Sequence, residues 1–336
     1  MQTILDSLAQ RFAEAKRILV ATHVNPDGDA IGSAAAVAHI ALRCGAEARI
    51  FLGTKLPDFL SWLPMPVPCV YSLSELASWT PDTLMIVDCG DIKRAEPEVA
   101  SLLRKTSLPG EAWGNFDVVN VDHHVSNTGF GLLNWVDPSR SATGELLGLL
   151  AEHMDMPLEG ELGQAVYLAL VSDTGNFSFS NTTPDCLAMA ARIVASGLDI
   201  AEFTAKYENS WSISRMHLWG RLLAEISLHA SGEVACSIVP KRYLDEFGLG
   251  KASLDGFAAW LRRLQGVRVG LFVREDAPAR CKISLRSMGD FDVQAVASLF
   301  GGGGHAAAAG AEFSLPPERV AEKVLAELTA RLLAEK

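Results

Sequence analysis

Nothing in the 336 residues approaches the unbroken run of roughly 18 to 20 apolar side chains that a membrane-spanning helix needs, although 49% of the chain is apolar. A soluble protein with no membrane partner is expected. The N-terminus, Met1 to Lys16, patterns as an amphipathic helix with Asp6, Gln10 and Glu14 on its polar side. It lacks the apolar core and small-residue cleavage site of a signal peptide, which leads to a cytoplasmic location. Paired cysteines are missing too. Cys44, Cys69, Cys89, Cys186, Cys236 and Cys281 lie far apart and form no CxxC, so neither a disulfide framework nor a zinc knuckle is expected, only buried thiols. No repeat with a period of 20 to 50 residues is visible, and the one low-complexity stretch runs from Gly301 to Ala311.

An excess of positive charge is also lacking. The formal net charge is −11, which excludes a protein that coats long nucleic acid by counterion release. The acidity is unevenly spread: residues 231–336 carry 14 Lys and Arg against 13 Asp and Glu, leaving 15 against 27 for residues 1–230. Within the C-terminal part, Arg262, Arg263, Arg268, Arg274, Arg280, Lys282 and Arg286 face only Glu275 and Asp276, a local basic bias that suits a phosphate-bearing ligand or a solvated surface.

The chain is too long for the usual single core, so two domains are expected. Apolar runs at Arg17–Thr22, Glu47–Leu52, Leu84–Asp88 and Val118–Asp122 read as strands. With the small-residue helix Ala30–Arg43 they make a βαβ rhythm, which predicts a mostly parallel, doubly wound α/β sheet. Ser141–Met154 and Gly163–Val171 read as core helices. From Ile200 the pattern turns helical. Strands near Glu233–Val239, Val267–Val273 and Arg280–Leu285 follow, then a helix Val293–Phe300, the Gly301–Gly304 run, a strand-like Ala311–Leu315 and a terminal helix Pro317–Leu333. The expected division is a domain over 1–205, a helical linker over 206–230 and a smaller α/β domain over 231–336, with an active site in the cleft between the two domains.

Four constellations sit where strands or helices end, the place where such sheets bind ligands. His23-Val-Asn-Pro-Asp27-Gly-Asp29 packs three metal-capable side chains into seven residues, with the alternative that Asp29 merely caps the following helix. Asp88 ends an apolar strand before Cys89-Gly90-Asp91, where Asp91 reads as a helix cap. Asp122-His123-His124 ends another strand, and two adjacent imidazoles beside a carboxylate are hard to explain by packing; one can bind metal while the other faces substrate or a carboxylate. Asp173, in Ser172-Asp173-Thr174-Gly175, closes an apolar helix and alone would read as merely solvated. Together His23, Asp27, Asp29, Asp88, His123 and Asp173 offer two imidazoles and four carboxylates, enough for two divalent ions if one carboxylate bridges. The absence of thiolates suits Mn²⁺, Fe²⁺ or Mg²⁺ better than structural zinc, and paired ions about 3.5 to 4 Å apart are a known device for phosphoryl displacement.

With these four motifs in order, and Gly301-Gly-Gly-Gly304-His305 near the C-terminus, the whole chain resembles the DHH phosphoesterase superfamily, and within it the nanoRNases and pAp phosphatases that carry a DHH-associated C-terminal domain. The resemblance implies a two-metal phosphodiesterase. His23, Asp27 and Asp88 would hold one Mn²⁺, and Asp29, Asp88, His123 and Asp173 the other, with Asp88 bridging and a hydroxide between the ions attacking phosphorus. His124 would serve the scissile phosphate as a catalytic group. The far end of the substrate would be gripped by Arg286 and by Gly302, Gly303, Gly304 and His305, which agrees with the affinity of glycine-rich backbone and arginine for phosphate. Ser141 and Thr143 begin a helix that either aims N–H groups at a phosphate or is simply capped. Asn176 stands where the related pattern often has arginine, so no substrate contact is carried over there.

The activity expected is hydrolysis of short oligoribonucleotides to mononucleotides, with removal of the 3′ phosphate of pAp as a second reaction. The competing readings are a cyclic or linear dinucleotide phosphodiesterase, an inorganic pyrophosphatase, which the GGGGH segment disfavours, and a non-catalytic nucleotide sensor, which would be expected to lack some of the six ligands. Short RNA or small nucleotides are the expected partners, long duplex nucleic acid is not, and a homodimer is left open.

Overall fold

The structure is a computed structural model that describes residues 2–56, 58–76, 79–104, 116–208 and 211–335. Met1 and residues 209–210, parts of the predicted first helix and linker, lie outside the described residues. The chain forms two compact units, Met1–Ser210 and Trp211–Lys336. Among the described residues no helix is long and apolar enough to cross a membrane.

The first unit is built on strands β1 (Arg17–Ala21), β2 (Glu47–Phe51), β3 (Cys69–Val70), β4 (Thr83–Val87), β5 (Asp117–Asp122) and β6 (Leu133–Val136). They form one sheet in the order β3-β2-β1-β4-β5-β6, and every pairing is parallel. The helices are α1 (Gln2–Glu14), α2 (Gly28–Arg43), α3 (Pro97–Arg104), α4 (Thr143–His153), α5 (Gly160–Asp173), α6 (Pro184–Ala195) and α7 (Ile200–Tyr207). Strand residues alternate between two apolar clusters, as the two-residue period of a strand requires: Ile18, Val20, Met85, Val87, Val119 and Val121 join the cluster formed with α1, α2, α4, α5 and α6, whereas Leu19, Ala21, Leu84, Ile86 and Val118 join the one on the other face with α3. A parallel sheet covered on both faces reads in sequence as continuous apolar runs, which is why β1, β4 and β5 were legible. The strand order reverses between β1 and β4, and in such sheets that reversal marks the ligand crevice at the strands' carboxyl ends.

The second unit contains α8 (Ile213–Ala224), β7 (Ser227–His229), β8 (Val234–Val239), α9 (Lys241–Phe247), α10 (Phe257–Trp260), β9 (Val269–Ala277), β10 (Arg280–Ser287), α11 (Val293–Leu299), β11 (Gly303–His305), β12 (Ala308–Phe313) and α12 (Pro317–Ala334). Its sheet runs β11-β12-β10-β9-β8-β7 and is antiparallel except for the β8–β9 pair. Residues of α11 and α12 pack on one face, and residues of α8, α9 and α10 on the other. Leu218, Trp219 and Leu222 place α8 inside the core of this unit.

The helix α2 is rich in alanine and glycine and buried along almost its whole length. The small residues have a purpose in the packing: a Cβ on Gly32 would lie 2.5 Å from the backbone oxygen of Ala165 in α5, and one on Gly144, in the first turn of α4, would collide with the Ala169 methyl. Replacing a helical glycine by alanine normally gains up to about 1 kcal/mol of helix propensity, but forcing atoms into a packed interior costs about 1–3 kcal/mol. Gly32→Ala is therefore expected to lower stability on balance, read as a reduced urea midpoint with an unchanged slope; a variant as stable as the parent would show that the α2–α5 contact has room to relax.

Candidate active site

Past the end of β1, His23 forms an isolated bridge with Ala95, and the N–H of Val24 donates to the Arg94 carbonyl at 2.8 Å. Asn25 turns the chain through φ 54°. Asp27 then caps α2, accepting the N–H groups of Asp29 and Ala30, each at 3.1 Å. The cap is thus Asp27 and not Asp29, whose side chain lies buried in the first turn of the helix. The Asp29 carboxylate accepts the N–H of Thr143 at 2.8 Å and of Gly144 at 3.0 Å, and the Ser33 hydroxyl at 3.0 Å. The N–H groups at the start of α4, candidates for a phosphate in the sequence, are occupied by this carboxylate, where the helix dipole also favours negative charge.

Asp88 follows β4 with φ 54° and is buried. Its carboxylate lies 3.4 Å from His23 Nε2, 3.8 Å from His123 Nε2 and 3.6 Å from His124 Nδ1, and accepts the Thr143 hydroxyl at 3.1 Å. Asp91 caps the short turn that follows, accepting the Lys93 N–H at 2.9 Å. Asp173, the last residue of α5, lies 3.6 Å from His123 Nε2 and is steadied by Asn181 Nδ2, which donates to its Oδ2 at 3.0 Å.

The triplet at the end of β5 divides its work. His123 Nδ1 faces the Arg140 carbonyl at 3.2 Å, leaving Nε2 among Asp29, Asp88 and Asp173. His23 has the same arrangement, with Nδ1 on the Val24 carbonyl at 3.0 Å. An Nδ1–H donated to a carbonyl fixes the tautomer that presents the Nε2 lone pair to a metal. His124 is turned the other way, its Nδ1 2.7 Å from Asp122 Oδ1. Asp122 itself is fully buried and is completed by Asn127, whose Nδ2 donates to Oδ2 at 2.6 Å and to Asn120 Oδ1 at 2.8 Å. Asn120 and Asn181 did not stand out in the sequence as parts of the site, and Thr143 stood out only as the start of a helix. A buried asparagine inside the apolar run VVNVD, and the polar SATGE segment opening a core helix, were the available signals.

Three groups of side chains can each hold a cation, their donor atoms lying within 4.8 Å of one another: His23 with Asp27 and Asp88, Asp29 with His123 and Asp173, and Asp88 with His123 and His124. The groups are chained through Asp88 and His123. The donors fit divalent cations, being imidazole and carboxylate without thiolate. Burial pushes the Asp29 carboxyl up, and the neighbouring Asp88 pushes it further. Burial likewise raises Asp173 to about 6, against the pull of His123. Burial would raise Asp88 as well, but His23, His124 and His123 outweigh it and hold it below the usual carboxylate range. His23 and His123 are each depressed by burial yet held at about 9, His23 by Asp88 and Asp27, His123 by Asp29, Asp173 and Asp88. Without a cation, protons neutralise this cluster.

In the second unit, Arg286 on β10 stands opposite Ala308 on β12, which stands opposite His305 on β11. Residues directly opposite share a face, so Arg286 and His305 project from one side of the sheet, two strands or about 10 Å apart. The flanking Leu285 and Ala309 face the core. The glycine run is not a linker: the N–H groups of Gly301 and Gly302 close α11 by donating to Ser298 and Ala297, and Gly303 and Gly304 enter β11. A Cβ on Gly302 or Gly304 would strike the backbone of β12.

The fold, and the His/Asp cluster at the switch point of its sheet, define a metal-dependent phosphoesterase, a hydrolytic enzyme. The chain belongs to the DHH family: the DHH family N-terminal domain matches residues 17–170 and the DHHA1 domain residues 232–333. It is 33% identical over 317 residues to the bifunctional oligoribonuclease and PAP phosphatase NrnA of Thermus thermophilus, covering 93% of this chain and 90% of that protein. Identity to NrnA of Bacillus subtilis is 28%, over 93% of each chain. A crystal structure of an exopolyphosphatase-related protein from Bacteroides fragilis superposes with a TM-score of 0.86 at 27% identity, over 99% of this chain and 98% of that one.

The direction of the pH response follows from the two imidazoles. Held near 9 in the fold against an ordinary value of 6.5, they stabilise the cation-free protein fully below pH 6.5, and that contribution is lost as pH rises toward 9. A divalent cation must displace the same protons, so it binds more tightly up the same range. The melting temperature in excess chelator is expected to fall between pH 6.5 and 9, while the rise on adding MnCl₂ grows. Scanning calorimetry at several pH values checks both, and a cation-induced rise that shrinks with pH would contradict protonation of His23 and His123 in the cation-free protein.

Proposed function

We propose that this enzyme hydrolyses short oligoribonucleotides from an end to nucleoside monophosphates and removes the 3′ phosphate of pAp, using two Mn²⁺ ions in the cytoplasm. The observation that carries the reading is the convergence of His23, Asp27, Asp29, Asp88, His123, His124 and Asp173 into ligand groups chained through Asp88 and His123. His23, Asp27 and Asp88 would hold one ion, and Asp29, Asp88, His123 and Asp173 the other. The substrate classes come from the two NrnA relatives, each named as a bifunctional oligoribonuclease and PAP phosphatase. Six free cysteines suit a reducing compartment.

Paired divalent ions supply Lewis acidity toward phosphoryl oxygens and make water a better nucleophile at neutral pH. The chain's own part is to position. His123 and His23 keep their Nδ1–H on backbone carbonyls, so Nε2 stays a ligand. His124, held by Asp122 through Nδ1, keeps one ring orientation, which suits a group that contacts the scissile phosphate. Arg286, with its planar fork of donors, and His305 beside Gly303 and Gly304 would take a phosphate at the other end of the substrate. The surplus of acid in residues 1–230, 27 against 15 basic residues, disfavours long polyanions outside the ligand groups.

The test offers the purified protein with Mn²⁺ a panel of 5′-labelled RNAs from dimer to twenty-mer, together with pAp, pyrophosphate and cyclic dinucleotides. The shortest RNAs and pAp are expected to turn over fastest, and a preference for pyrophosphate, cyclic dinucleotides or the longest RNAs would overturn the reading. Asp88→Ala should cut turnover at least about a hundredfold, since both ion groups lose a member. Arg286→Ala should raise KM for dinucleotides about tenfold to a hundredfold with kcat little changed, the loss expected for a charge-assisted contact of about 1.5–3 kcal/mol made equally in ground and transition states.

A further inference from the structure

The six residues from Arg140 to Glu145 reach every member of one ligand group. The Arg140 carbonyl lies 3.2 Å from His123 Nδ1. The N–H groups of Thr143 and Gly144 hold the two oxygens of Asp29, and the Thr143 hydroxyl donates to Asp88. The Ser141 carbonyl accepts from Asn181 Nδ2 at 3.1 Å, and the same amide donates to Asp173. Ser141 returns a bond through its hydroxyl to the Asn181 carbonyl at 2.7 Å. His23 and Asp27 are held elsewhere, the first by the Val24 carbonyl and the Ala95 bridge, the second by the opening turn of α2.

A buried ion pair shapes this segment. Arg140 Nη1 donates to Glu145 Oε1 at 2.9 Å, and the other oxygen of the same carboxylate accepts the Ser141 N–H at 2.8 Å. Glu145 therefore clasps the start of the turn to the first turn of α4. Its side chain is 1% exposed and that of Arg140 13%. Arg140 also reaches Asp185 at 2.9 Å and Asp137 at 3.4 Å, tying the turn to the start of α6 and the residue after β6. Desolvation offsets most of what a buried pair gains in attraction, so stability is a weak reason for its presence. Geometry is a better one, because the Thr143 and Gly144 bonds to Asp29, the Thr143 bond to Asp88 and the Arg140 carbonyl contact of His123 all leave from within this clasp.

We infer that Arg140 and Glu145 are positioning residues for Asp29, His123 and Asp173, setting the affinity of one of the two cation sites and reaching the His23 and Asp27 side only through the shared Asp88. The inference rests on the two-ion reading of the proposed function. Groups that orient metal ligands typically change affinity 10- to 100-fold when altered, and in this protein the larger change falls on one site.

Calorimetric titration of MnCl₂ into chelator-treated full-length protein tests it, comparing the parent with Glu145→Gln, Arg140→Lys and His23→Ala. The parent is expected to show two classes of site. Both clasp variants should weaken one class by about 10- to 100-fold and leave the other within about twofold, and His23→Ala should weaken the class that they spare. At saturating Mn²⁺ the clasp variants should regain kcat with an unchanged KM for a dinucleotide, which damage to the fold would not allow. Arg140→Lys, which keeps the charge, decides the matter if Glu145→Gln does not fold. Parent-like titrations in both clasp variants, or equal weakening of both classes, would overturn the inference. A parent that binds fewer than two ions would instead overturn the two-ion reading and this inference with it.

Discussion

The carboxylates of Asp29 and Asp88, both buried, and of the half-buried Asp173 lie beside one another around His123, and most of the first unit is organised to make that crowding tolerable. Two unit charges about 4 Å apart repel by about 4 kcal/mol at the effective dielectric constant of a protein, and burial adds to that for each group. Hydrogen bonds answer part of it: Thr143, Gly144 and Ser33 donate to Asp29, the Thr143 hydroxyl to Asp88, and Asn181 to Asp173. At about 1.5–3 kcal/mol for each bond to a charged group, the five are comparable with the three mutual repulsions and leave the cost of desolvation unanswered. The remainder must come from positive charge. Protons on His23 and His123 supply it in the absence of metal, and divalent cations supply it with directional bonds to the same atoms.

That requirement reaches back into the packing. A helix N-terminus can offer its N–H groups to a buried carboxylate only if the two helices almost touch. The approach of α4 to Asp29 on α2 depends on glycine and alanine where both helices pack on α5: Gly144 of α4 meets Ala169, and Gly32 of α2 meets the Ala165 carbonyl. The unusual alanine content of α2 is therefore a property of the site as much as of the core. A larger residue at either crossing would move donors away from Asp29 before it changed any ligand.

What could be read in the sequence was what periodicity and chemistry mark. The continuous apolar strands, the small-residue helix and the acids and imidazoles at element ends were visible because each breaks a simple pattern at a known place in a parallel sheet. Hydrogen-bond partners were not visible, since tertiary contacts choose them. Asp122 gives the triplet its first letter yet stands behind His124, joined to Asn127 and Asn120, and nothing in the spelling separates that role from a ligand's. The α4 N–H groups could have served a phosphate and serve Asp29. The glycine run looked like a cradle of free N–H groups, but two of those groups finish α11, and Gly302 and Gly304 are small because β12 passes close by. Short strands such as β3 and β11 carry too few residues for a period to show.

Asp88 shows how a strand can deliver one side chain to several ligand groups. Along β4, Ile86 faces the apolar cluster under α3 and Val87 the cluster under α2, so an extended residue 88 would turn its carboxylate back toward apolar surface. The positive φ of Asp88 breaks the alternation, while its N–H stays in the ladder on the Val121 carbonyl at 3.0 Å. Aspartate accepts that conformation more readily than most residues, at a cost of about 1–2 kcal/mol. The next residue but one, Gly90, leaves room for Asp122 and His124, each with an atom 3.4 Å from where its Cβ would stand. Backbone strain is thus spent at a residue common to two ligand groups, where a side chain held on either face of the sheet could serve neither.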